Sequence, residues 1–190
     1  MYPRLNDFLA FHQRGDVSEL DEAWAFALSE AESRARLSGN REIAAYLALR
    51  NSNDLLRRTG IEWLISTFEI LAGKANRRGA SIQIAKEDNH RFRAGNSTMV
   101  GRLLVLRFGV RQLAVEAGWP RTPRDGVVRG GGLASANIRH LGIKSASEVL
   151  RLVQSPRGAP SWVVGEKAEG QAELHEKNLR KHIATLLASG

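Results

Sequence analysis

The chain has 190 residues, 43% of them hydrophobic, no cysteine and a formal net charge of +8. That length suits one domain or a compact body with a small appendage, and it can bury a substantial core. Disulfides and thiolate metal sites are excluded. So is a membrane helix, because the longest apolar stretch, Ile61 to Ala72, carries Glu62 and Glu69 and falls short of the roughly 20 residues a span requires. Met1 to Ala10 is short and contains Asp7, unlike a signal peptide, so the expectation is a cytoplasmic protein without a membrane partner.

The first third reads as helical. A short helix is predicted through Phe8, Leu9 and Phe11, ended by Gly15. Ser18 reads as an N-cap with Asp21 three residues on, and Leu20, Trp24, Ala27, Leu28, Ala31 and Ala35 follow at helical spacing. Acids early and Arg34 and Arg36 late suit the helix dipole. Gly39 closes this helix and Asn40 caps the next, with Ile43, Tyr46 and Leu47 inward. The run Arg50–Asp54 predicts a bend or break. After Gly60, the stripe Ile61, Leu64, Ile65, Phe68, Leu71 and Ala72 is widened by Trp63 and Ile70. So wide an apolar surface predicts a central helix, packed on two sides and lying on a sheet.

Beyond Gly79 the hydrophobic period changes from 3.6 to 2. One short strand is predicted around Ile82 and Ile84, and a second around Phe92 with Arg91 and Arg93 outward. Ser97-Thr98 after Gly95-Asn96 reads as turn. Met99 to Trp119 is the strongest β signal. Gly109-Val110 at the centre of a type II′ hairpin would pair Leu106 with Leu113 and Leu104 with Val115, and Arg107 with Gln112 and Leu103 with Glu116 on the other face. An unbroken strand bulged at Gly109 is the alternative. Three more strands are read in Leu133–Gly142, Ser147–Val153 and Ala159–Val164. Leu174, Leu179, Ile183, Leu186 and Leu187 then mark a C-terminal amphipathic helix or arm.

The predicted fold class is α+β: an N-terminal helical layer packed on an antiparallel sheet or partly open β-barrel of five to seven strands, plus a C-terminal helix. The divisions fall at 1–76 (helical), 77–165 (β, basic) and 166–190 (helix or arm), or all three form one compact domain. Charge follows the same divisions. Residues 1–76 hold 9 basic and 11 acidic side chains, residues 77–160 hold 15 and 5, and residues 161–190 hold 4 and 4. Thirteen of the 15 are arginine, whose planar fork of donors suits phosphate and carboxylate. A purely compositional origin, the codon bias of a GC-rich bacterial genome, is the competing explanation, since arginine outnumbers lysine 22 to 6 throughout.

Two basic groups stand out. The strands offer Arg91, Arg93, Arg102, Arg107, Arg111, Arg139 and Arg151, with Phe92, Phe108, Trp119 and Trp162 as stacking aromatics for single-stranded nucleic acid. The loop Glu116–Gly132 offers Arg121, Arg124 and Arg129 around Gly130-Gly131-Gly132. A phosphate loop would need Lys-Ser/Thr and a helix after its last glycine, and the dinucleotide fingerprint is absent, so the loop reads either as a long inter-strand connection or as an anion-binding loop.

Catalytic signatures are missing. His12, His90, His140, His175 and His182 show no zinc spacing, and no G-x-S-x-G occurs. The five acids of the middle third are too few for two-metal chemistry. His90 or His140 could pair with Glu116 or Asp125 across strands. No metal or cofactor is implied. The leading expectation is a non-enzymatic binding protein contacting nucleic acid or another polyanion, an acidic protein included, through Arg91, Arg93, Arg107, Arg111, Trp119, Arg121, Arg124, Arg129 and Arg139. The alternatives are an assembly module forming a homo-oligomer through its helices, and an enzyme with a site near Trp119, Arg121, His140 and Glu116.

Overall fold

The computed structural model describes residues 16–154, 159–165 and 172–188. The expected helix through Phe8 and Phe11 lies outside them. Among the described residues the protein is α+β. Its helices are α1 (Asp16–Leu37), α2 (Arg41–Asn76) and α3 (Glu176–Leu187). Its strands are β1 (Gln83–Ala94), β2 (Ser97–Phe108), β3 (Arg111–Trp119), β4 (Ala134–His140), β5 (Glu148–Gln154) and β6 (Pro160–Val164). They form one antiparallel meander in the order β1-β2-β3-β4-β5-β6. No helix among the described residues is long and apolar enough to cross a membrane.

The chain divides into two compact units, Met1–Asn53 and Asp54–Gly190. In the first, α1 begins at Asp16, so Ser18 lies inside the helix and does not cap it. Leu28, Ala35 and Ala44 are buried, and Arg50 stacks over Trp24 at 5.4 Å from the ring centroid. Trp24, expected inward, is half exposed, as are Ile43 and Tyr46.

In the second unit the face of α2 bearing Ile61, Leu64, Ile65, Phe68, Leu71 and Ala72 packs into a core with Leu104, Leu106, Leu113, Val115, Ile138, Leu150, Leu152 and Trp162 of the sheet and Leu179, Ile183 and Leu186 of α3. Helix α2 runs unbroken through Arg50–Asp54, where the sequence predicts a bend or break, and on through Gly60. Gly60 is there for proximity: a Cβ would lie 2.5 Å from Leu152 Cδ1, and its carbonyl accepts from Trp162 Nε1 at 2.8 Å. The helix is packed on one side only, since Trp63 and Ile70 on its back are exposed.

The β2–β3 register is the one the two-residue turn dictates: Leu106 opposite Leu113, Leu104 opposite Val115, Arg107 opposite Gln112 and Leu103 opposite Glu116. Gly109 carries a positive φ of 56°, as the first central residue of a type II′ turn should. Two expectations fail in β1 and β2. Ser97-Thr98 begins β2, and the turn is Gly95-Asn96. The two short strands are one twelve-residue strand with a bulge between Asp88 and His90. Asn89 sits in the bulge at φ 59°, the one positive-φ non-glycine residue among those described. A bulge reverses the alternation of side chains downstream. Ahead of it, Ile82 enters the helix-side core and Lys86 reaches Glu69 of α2 at 2.8 Å. Beyond it, His90 and Phe92 point to the opposite, open face.

Candidate functional site

The loop between β3 and β4 folds back onto the β1–β2 hairpin and is pinned there at several points. Arg121 stacks on buried Trp119, its guanidinium 3.8 Å from the ring centroid. The Thr122 amide and hydroxyl both donate to Asp125 Oδ2, at 3.0 and 2.9 Å, while Arg91 Nη2 donates to Asp125 Oδ1 at 3.1 Å. The Thr122 hydroxyl above all, with backbone amides and the Arg91 charge, holds the Asp125 carboxyl below its ordinary pKa. Ser97 Oγ donates to the Val127 carbonyl at 2.8 Å and accepts from the Val127 amide at 3.2 Å. Val128 packs on Phe92 and Met99 as a small second core. Arg151, itself buried, donates through Nη1 to the Gly130 carbonyl at 2.9 Å.

This fixed loop brings five of the predicted arginines to one end of the sheet. Arg91 and Arg93 come from the hairpin, and Arg121, Arg124 and Arg129 from the loop; all five are exposed. In residues 89–99 and 119–133 the one acid among these five arginines is Asp125. Trp119 belongs to the group as the platform beneath Arg121.

The remaining predicted arginines lie elsewhere. Arg107 bonds Gln112 at 3.2 Å near the β2–β3 turn. Arg111 Nη1 donates to the Thr185 carbonyl of α3 at 3.0 Å. Arg139 pairs with Glu116 on the open face, and Arg102 pairs with Glu62 and Asp88 beside α2. The aromatics offered for base stacking are inside: Phe92, Trp119 and Trp162 are buried and Phe108 packs against the core.

A second polar group occupies the open face. The Glu116 side chain is 6% exposed. It accepts from His90 at 2.8 Å, from Asn137 Nδ2 at 3.3 Å and from Arg139. Asn137 also reaches the Arg93 carbonyl at 3.5 Å, so the sheet curls until β1 meets β4. His140 is on the other side of the sheet. There its Nε2 lies 3.0 Å from His182 Nδ1 of α3, and His182 faces Glu148 at 3.6 Å. The sheet therefore stands between His140 and Glu116, and the site grouping them with Trp119 and Arg121 is not assembled. Burial lowers the pKa of both His140 and His182; the charge of His182 lowers that of His140 further, against an opposing pull of Glu148 on His182. Among the described residues no three His, Asp or Glu are placed to hold a metal ion.

The residues that tie the loop to the sheet, Ser97, Asp125 and Arg151, carried no signal as a group in the sequence, because their partners are distant in the chain. Asn89 carried a faint one: Asn tolerates positive φ better than most residues.

No family model, no curated protein and no solved structure matches this chain.

Proposed function

We propose that this protein is a non-enzymatic nucleic-acid-binding protein that grips phosphates with Arg91, Arg93, Arg121, Arg124 and Arg129. The observation that supports this reading is their gathering on a loop and hairpin tip held by side-chain bonds at Asp125, Ser97 and Arg151. Donors fixed before binding lose less entropy on contact, and guanidinium forks match phosphate oxygens. With the aromatics buried, the contact is to the backbone rather than to bases, so single strands and duplexes should both bind. The test is fluorescence anisotropy on labelled 20-mers at low salt, comparing the wild type with Arg93→Glu/Arg124→Glu/Arg129→Glu and with Arg107→Glu, a charge reversal outside the group. The triple variant should lose at least tenfold more affinity than the control. Equal losses, or no wild-type binding, would end the reading.

A second reading, self-association through the helical unit, has its own support. Trp24, Phe26, Ile43, Tyr46 and Leu49 are all at least half exposed, and surfaces of this kind mark protein contacts. The partner proposed is a second copy. Sedimentation should show a dimer that Phe26→Glu/Tyr46→Glu dissociates; a wild-type monomer at high micromolar concentration rules it out.

A further inference from the structure

We infer that the groove between the last turns of α2 and helix α3 binds a single-chain anionic amphiphile, a fatty carboxylate. Leu71, Ile183 and Leu187 line this cavity of about 380 Å³, together with Lys74, Arg78 and Arg180. Leu71 and Ile183 also belong to the buried core, so the apolar lining continues into the protein interior. The volume falls within the range of small-ligand sites.

Charge selects the head group. Among the described residues three cations, Lys74, Arg78 and Arg180, line the groove and no acid does; Glu176, outside the lining, is tied to Arg180 at 2.7 Å. Hydrogen bonding and charge from Arg180, with a smaller effect of Lys74, keep Glu176 ionised to lower pH than usual. With Arg180 paired to Glu176, Lys74 and Arg78 still leave two positive charges on the lining among the described residues. Lys and Arg lay their stems along apolar surface while the heads stay in water. A carboxylate at the mouth and an alkyl chain along Leu71, Ile183 and Leu187 would meet both parts at once.

The test is isothermal titration of the full chain with dodecanoate and dodecyltrimethylammonium below their micelle-forming concentrations, and with dodecan-1-ol below its solubility limit. Dodecanoate should bind one to one, the alcohol at least tenfold more weakly, and the cation not at all. Ala184 lines the groove and is exposed, so Ala184→Trp fills the space without entering the core and should cost at least tenfold. Lys74→Glu/Arg78→Glu should weaken dodecanoate and admit the cation. Equal affinity for the three heads, indifference to Ala184→Trp, or no dodecanoate binding would overturn the inference. Arg93→Glu/Arg124→Glu/Arg129→Glu should leave dodecanoate binding unchanged, which keeps this site separate from the nucleic-acid reading; a loss there would count against it.

Discussion

His90 of β1 reaches across the whole of β2 to Glu116 of β3, with the ring Nε2 2.8 Å from Oε1. The strand between them is narrowed for the purpose. Gly101 and Gly118 are paired directly on the open face, and a Cβ on Gly101 would lie 2.0 Å from the Ala117 carbonyl oxygen. The bare backbone lets the sheet fold on itself here, and the bulge at Asn89 turns His90 towards the crease. Asn137 and Arg139 of β4 complete the set of donors around Glu116.

Removing that carboxylate should therefore loosen the curl. Glu116→Ala takes the acceptor from buried Asn137 and partly buried His90, at a cost of roughly 2–3 kcal/mol. The cost stays modest because Arg139 is 56% exposed and can return to water. Glu116→Gln retains one acceptor and should cost less. Urea denaturation reads both, and a loss under about 0.5 kcal/mol for Glu116→Ala would show that the cluster does not hold the sheet.

Two glycines should respond with opposite signs. Gly101→Ala forces a methyl group into backbone and should cost roughly 3 kcal/mol. Gly73 lies inside α2, and beyond the helix's own backbone a Cβ there would meet only Arg77 Nη1, at 3.6 Å. Gly73→Ala should stabilise by about 0.5–1 kcal/mol through helix propensity and a less flexible unfolded chain. Thermal melts of the two variants, moving in opposite directions from wild type, check this.

How much of this was legible in the sequence divides along physical lines. The β2–β3 register was readable because a two-residue turn fixes it locally. The α+β class was readable from the change of period. The His90–Glu116 pair was one of four combinations the residues allowed, and the bulge that selects it is an event of one residue. His140 was harder to separate from Glu116, since only the observed pairing of β3 with β4 shows that Val115, opposite Ile138, shares the helix side while Glu116, opposite Asn137, does not. The arginine group depends on contacts such as Ser97 to Val127, 30 residues apart, which no local pattern encodes.

The buried histidines give the fold a pH dependence. Both have pKa values below 6.5 in the folded state, chiefly because burial disfavours their charge. In the unfolded chain they take up protons as pH falls through about 6.5. Stability from this pair is thus complete above that pH, declines below it, and stops declining once the folded histidines also protonate. His182→Leu should flatten the decline between pH 6.5 and 5 in denaturant titrations. An unchanged slope would place its origin elsewhere.

Arg151 should supply one of the bonds that hold the loop in place. Replacing it with Met keeps an unbranched side chain but removes the donor to the Gly130 carbonyl. Limited trypsin digestion should then cut faster after Arg124 and Arg129, while far-ultraviolet circular dichroism stays unchanged. Equal cleavage rates would mean that Ser97 and Asp125 suffice.

The most direct measurement for the central claim is the salt dependence of nucleic-acid binding. Each phosphate contact releases counterions, and the slope of log K against log salt is about −0.9 per contact on duplex DNA. Five arginines acting together predict a slope of roughly −4 to −5 for the wild type and about −2 for Arg93→Glu/Arg124→Glu/Arg129→Glu. A slope that is shallow in the wild type, or the same in both proteins, would contradict the claim that these guanidinium groups form one phosphate-binding surface.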